Sequence, residues 1–171
     1  MAVPGVLNKV DAVLYDTYTL VKASDSNKTI SMFQTQVGAG GKTIRDTNMR
    51  AGGQMPKPEK FEVRSLRYIL KTIVAADAKI LAENVVVEFS VNNKSVAEWL
   101  GSLLPGGAGV TATSVLNGIA DLRAVYTFEN PIELDTQTPF AVNLLVGDVS
   151  GLTVDTAVVV VMDGSHFKAV S

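Results

Sequence analysis

Apolar and polar residues alternate at every second position through much of this chain, and that period predicts strands rather than helices. The clearest run spans residues 84–92, where Val85, Val87, Phe89 and Val91 share one face. Residues 61–68 form another, with Phe61 and Val63 on one side and Glu62 and Arg64 on the other. In the run 140–146, Phe140, Val142, Leu144 and Val146 form a core face. Residues 17–23 and 28–36 read as strands joined by the polar turn Ser24-Asp25-Ser26-Asn27, a hairpin signal. Residues 121–128 make a further strand. Residues 156–162 are apolar on both faces and belong at the centre of a sheet. Asp163-Gly164 then signals a hairpin turn into a short last strand through Phe167 and Val170.

Four stretches depart from this period. Leu7, Val10 and Leu14 lie at helical spacing, so residues 1–14 are expected to form an N-terminal arm or a short helix. Residues 73–83 fit either a strand or a short helix. Ser95-Val96-Ala97-Glu98 has the form of a capping box, with Val96, Trp99, Leu100 and Leu103 following at helical spacing up to Pro105-Gly106-Gly107. Residues 37–58 are irregular, carry glycine at 38, 40, 41, 52 and 53, and end in Pro56-Lys57-Pro58. Irregular segments of this length inside a domain are uncommon and tend to be functional or disordered. The fold class expected is all-β: a single jelly roll or β-sandwich barrel of about eight strands with one short helix, filling residues 1–171 as one domain.

Composition narrows the function. Hydrophobic residues make up 47% of the 171, charged residues 19%, and the mean hydropathy is +0.24. That is apolar for a monomer of this size and points to surface buried in an assembly. The net charge of −2 provides no field to attract nucleic acid. No apolar run is long enough to span a bilayer as a helix, and the start, Met1-Ala2-Val3-Pro4-Gly5, lacks the pattern of a secretory signal.

Candidate chemistry is sparse. There is one histidine, His166, and no cysteine, which leaves no cupin-type metal site and no thiol chemistry; the bland reading of His166 is a strand-end residue. Gly38-Ala39-Gly40-Gly41-Lys42-Thr43 resembles a phosphate loop, but Gln36 stands where the first glycine is required. Glu129, Glu133 and Asp135, and separately Asp148 and Asp155, read as solvated loop acids, because aromatic residues are only 6% and no sugar platform accompanies them. On a regular strand Lys60 and Arg64 would share one face, and Arg67 and Lys71 the other, so these bases make no single stripe. The expectation is a non-enzyme without catalytic residues, cofactor or metal.

The stretch Thr43-Ile44-Arg45-Asp46-Thr47-Asn48-Met49-Arg50, then Gly53-Gln54-Met55-Pro56, leads into the strand at Phe61-Glu62-Val63. Later come Phe128-Glu129-Asn130-Pro131-Ile132-Glu133-Leu134 and Thr138-Pro139-Phe140-Ala141-Val142. This layout resembles the single jelly-roll major capsid proteins of icosahedral bacteriophages with an internal membrane, and within them the smaller major capsid proteins of Thermus phages. The resemblance implies a virion protein whose barrel stands upright in a lattice over lipid. Its partners would be further copies of itself and a second capsid protein, with no direct contact to nucleic acid. The alternative class is a non-catalytic binding or adhesion module of a spike, tail or cell surface. On the capsid reading the loop 37–58 orders at a subunit boundary. Lys42, Arg45, Asp46 and Arg50 would supply directional ion pairs there, and Met49 and Met55 adaptable apolar contact.

Overall fold

The computed structural model describes residues 7–71, 74–103 and 126–169. Its strands are β1 (Leu7–Leu20), β2 (Thr29–Met32), β3 (Lys60–Lys71), β4 (Val85–Val91), β5 (Lys94–Leu100), β6 (Tyr126–Leu134), β7 (Phe140–Val146) and β8 (Thr156–Ala169). One helix, α1 (Ala75–Asn84), joins β3 to β4, and a single 3-10 turn follows β5 at Gly101–Leu103. Two antiparallel four-stranded sheets, ordered β1-β8-β3-β6 and β2-β7-β4-β5, pack as a sandwich. The first strand pairs with the last, the second with the seventh, the third with the sixth and the fourth with the fifth. Nested pairs wrapped into two sheets make a jelly roll.

The period-two pattern puts the core where it is expected. Val85, Val87 and Phe89 of β4 face inward beside Phe140, Val142, Leu144 and Val146 of β7, all buried. Opposite them lie Leu66, Tyr68, Val158, Val160 and Met162. The central position expected for 156–162 is found: β8 runs between β1 and β3.

Local signals fail where a partner strand outweighs them. Residues 7–14 are neither helix nor free arm; they extend β1 and pair with β8 from Leu7↔Ala169 onward. The 24–27 turn makes no hairpin. The Asp25 carboxylate accepts the Val21 N–H at 2.9 Å, the Asn27 N–H reaches the Gly147 carbonyl at 3.0 Å, and the chain crosses to the other sheet. The ambiguous stretch near 73–83 is helical, and α1 seats Ala78, Leu81 and Ala82 in the core. The helix expected from Ser95 is strand β5 instead. Asn92 and Asn93 take φ of 53° and 59°, the geometry of a two-residue type I′ turn, and return the chain along β4. Residues 1–6, Pro105-Gly106-Gly107, 121–125 and Val170 lie outside the described residues; 126–128 fall in β6.

Asp163-Gly164 is likewise no turn: β8 continues through it. Opposite lies a bulge in β3 between Val63 and Ser65. A Cβ on Gly164 would stand 1.9 Å from the Glu62 carbonyl oxygen, so only glycine lets the two backbones approach this closely. The bulge also turns the following side chains over. Leu66, Tyr68 and Leu70 point inward, and Arg67 comes onto the same outer face as Arg64. The expectation that these arginines oppose each other is thereby corrected.

Candidate functional site: the loop-closed end of the sandwich

The two sheets differ in length. β1 and β8 have 14 residues each and β3 has 12, whereas β4 and β7 have 7 and β2 has 4. At roughly 3.3 Å per residue, the long strands outrun the short ones by about 20 Å. The N–H of Phe33, one residue past β2, donates to the Asp16 carboxylate at 2.6 Å, so the short sheet ends near the level of Asp16. Beyond that level the inner face of the long sheet needs another cover. The segment 33–59 provides it.

Three sets of polar contacts tie this segment down. Asp16 is fully buried on the inner face of β1, where its carboxylate meets Lys42 Nζ at 2.5 Å. Lys42 also donates to the Thr17 carbonyl at 3.1 Å. Asn48 seals part of the β1 edge. Its N–H donates to the Tyr15 carbonyl at 3.3 Å, its Oδ1 accepts the Tyr15 N–H at 2.9 Å, and its Nδ2 donates to the Val13 carbonyl at 2.7 Å. The Tyr15 hydroxyl donates to the Ile44 carbonyl. Toward the short sheet, Gly53 N–H donates to the Phe33 carbonyl at 2.7 Å and Phe140 N–H to the Gly53 carbonyl at 2.8 Å. Phe33 is held at φ 66°, a costly conformation for a bulky residue, by the bond its carbonyl accepts from Gly53 and the one its N–H donates to Asp16.

The six expected assembly residues therefore divide. Met49 and Met55 are buried in the chain's own core, in place of the neighbour-facing contact expected of them. Lys42 is committed to Asp16. The Asp46 carboxylate accepts the N–H and the hydroxyl of Thr43, both at 2.8 Å; these bonds hold it below the usual carboxylate range and shape the local turn. Arg50 Nη1 lies 3.3 Å from Glu59 Oε1, with most of its side chain in solvent. Arg45 is exposed and has no ion-pair partner among the described residues. Beside it Ile44 is 66% exposed, the most exposed large apolar residue described.

Under the segment lies a cleft of about 260 Å³, walled by Ala12, Leu14, Met49, Met55, Glu59 and His166 among others. His166 lies within β8, and its Nε2 is 2.7 Å from Glu59 Oε2. Burial pushes its pKa down, and nearby Lys168 and Arg50 push the same way, against the opposing pull of Glu59. The imidazole is thus neutral at pH 7 and donates Nε2–H to the carboxylate. Phe61 packs edge-on against the ring at 6.0 Å. Among the described residues no serine, threonine or cysteine lines this cleft; its other polar walls are Asn48, Arg50, Gln54 and Lys168. The adjacent Ser165 points to the opposite face, where it binds Arg64 and Asp11. Among the described residues no group of three or more His, Asp or Glu could hold a metal ion.

The outer face above the bulge carries a balanced charge ladder. Arg67 clasps Asp163 through Nε at 2.8 Å and Nη2 at 2.6 Å. Arg64 reaches Glu62 at 3.4 Å and Asp11 at 3.5 Å, and Lys9 reaches Glu62 at 3.1 Å. The hydrogen bond from Lys9, joined by Arg64, holds the Glu62 carboxyl below its ordinary range. Sequence reasoning missed Asp16, Asn48, Glu59 and this ladder. Asp16 had a signal: it stands in register with Leu14 and Leu20 on the inward face of a period-two run. No known protein family and no curated protein matches the chain.

Proposed function

We propose that this chain is a structural capsid subunit, one that self-assembles into the icosahedral shell of a bacteriophage with an internal membrane. The observation that carries the reading is the loop-closed end. A segment pinned to the core through buried Asp16, Met49 and Met55 presents Ile44 and Arg45 to solvent. A preformed apolar and cationic knob of this kind loses little entropy on docking, which suits repeated contact between subunits. The jelly roll is compatible with the reading but hosts other functions, so it adds less. The second capsid protein, the membrane and the virion location come from the family resemblance. On this reading the role is non-catalytic, and the hydrogen bond between His166 and Glu59 serves to hold the covering segment on the long sheet.

Electron microscopy of the expressed full chain, alone and with the other structural proteins of its source particle, tests this. Regular shells or sheets are expected, and Ile44→Asp with Arg45→Glu should abolish them while leaving the thermal midpoint within about 4 °C, as two exposed substitutions do. Particles that form equally well with both substitutions would remove the knob from assembly. The absence of ordered particles under every condition would favour an adhesion or spike module.

A further inference from the structure

The outer edge of β1 below Asn48 has no backbone partner among the described residues. Its hydrogen-bonding parity follows from Tyr15, whose N–H and C=O both meet Asn48 and so turn away from β8. In an unbroken antiparallel register every second residue does the same, and β1 pairs with β8 without a shift from Leu7↔Ala169 to Leu20↔Thr156. Leu7, Lys9 and Asp11 therefore hold both N–H and C=O toward the open edge, and Val13 its N–H. The Asn48 amide on the Val13 carbonyl marks its upper limit. Val10 and Val13, 36% and 41% exposed, lie on the same stretch. Such an edge is a template for one more strand.

We propose that the occupant is the same strand of a second copy, paired antiparallel about a two-fold axis at Val10. Parity requires outward residues to face outward residues. Centring the axis on Lys9 would set two lysines opposite each other, and centring it on Asp11 two aspartates. Centring it on Val10 sets Lys9 opposite the partner's Asp11 twice by symmetry, Leu7 opposite the partner's Val13, and valine on valine at the axis. Charge pattern, apolar pattern and backbone parity agree on this register alone. The dimer joins the two long sheets into one of eight strands, running β6-β3-β8-β1 and back.

The chain has no cysteine, so Val10→Cys introduces a single thiol. At the axis of a non-hydrogen-bonded pair the two Cα atoms come within about 4.5 Å, close enough for a disulfide. Mild oxidation of dilute Val10→Cys protein should give a linked dimer, whereas Val154→Cys, exposed elsewhere, should not. In sedimentation equilibrium, Lys9→Asp and Asp11→Lys should each weaken dimerisation of the otherwise unaltered chain by about tenfold. An equimolar mixture of the two variants should regain it, because the acidic edge then faces the basic one. Circular dichroism melts confirm that both variants fold. Cross-linking no faster at Val10 than at Val154, or a mixture no tighter than either variant alone, would overturn the proposal. It stands apart from the capsid reading: dimers without particles count against that reading only, and particles without cross-linking count against the dimer only.

Discussion

The two ends of this sandwich are built on different principles. At one end two sheets face each other, and Val87, Val142, Leu144, Val158 and Val160 fill the space between them. Stability there comes from apolar area, which is non-directional and spread over many side chains. At the other end the long sheet continues alone, and its cover is an irregular segment held by a few polar atoms: the Asp16 carboxylate, the Asn48 amide and the Gly53 backbone. Directional bonds at so few atoms concentrate the cost of failure. The comparison separates what makes the domain fold from what shapes its surface.

The largest effect should come from the two-sheet end. Val142→Asp would place an unpaired charge at a fully buried position and cost about 5 kcal/mol or more, comparable to the whole stability of a domain. A soluble Val142→Asp protein with a cooperative melt would show that the core is assigned wrongly. Next is Asp16→Ala, which strands Lys42 and the buried Phe33 N–H and should cost about 3–5 kcal/mol. Its diagnostic is local: trypsin should cleave at Lys42, Arg45 or Arg50 far faster than in the parent chain under native conditions. Unchanged cleavage would mean that the segment is held by its methionines, and the contrast between the ends would blur.

Gly164→Ala should cost about 1–3 kcal/mol, because the added methyl meets the Glu62 carbonyl and the bulge must open. A urea midpoint equal to the parent's would show that the bulge shifts freely. The smallest effect is a pH dependence at the segment-covered end. The unfolded chain protonates His166 near its ordinary value of about 6.5, whereas burial holds the folded pKa lower. Between those values the unfolded state binds the extra proton, so stability falls as pH drops below about 6.5 and recovers as it rises. His166→Gln should flatten that slope in melts recorded from pH 7.5 to 5. A slope unaltered by the substitution would assign it to other groups.

Much of the two-sheet end was legible in the chain. Alternation in 84–92 and 140–146 identified the inward faces, and the doubly apolar run at 156–162 marked a central strand, because strand geometry ties each side chain's direction to its position alone. Legibility dropped at the segment-covered end. Lys42 and Asn48 find their partners 26 and 33 residues away, and nothing local distinguishes a tethered lysine from a free one. Arg64 and Arg67 share a face only through a bulge that Gly164 permits, a hundred residues further on in the chain.

The sequence by itself determined that the chain is β-rich, which faces are apolar, and where the long irregular segment lies. These follow from the period of two and from the placing of glycine and proline, which are local properties. Tertiary structure alone decided who pairs with whom. The polar turn at 24–27 became a crossing between sheets, the capping-box stretch at 95–98 became a strand along β4, and Asp163-Gly164 stayed inside β8. In each case a local preference worth about 1 kcal/mol met a partner strand offering a full row of backbone hydrogen bonds and a buried face, and the non-local gain prevailed.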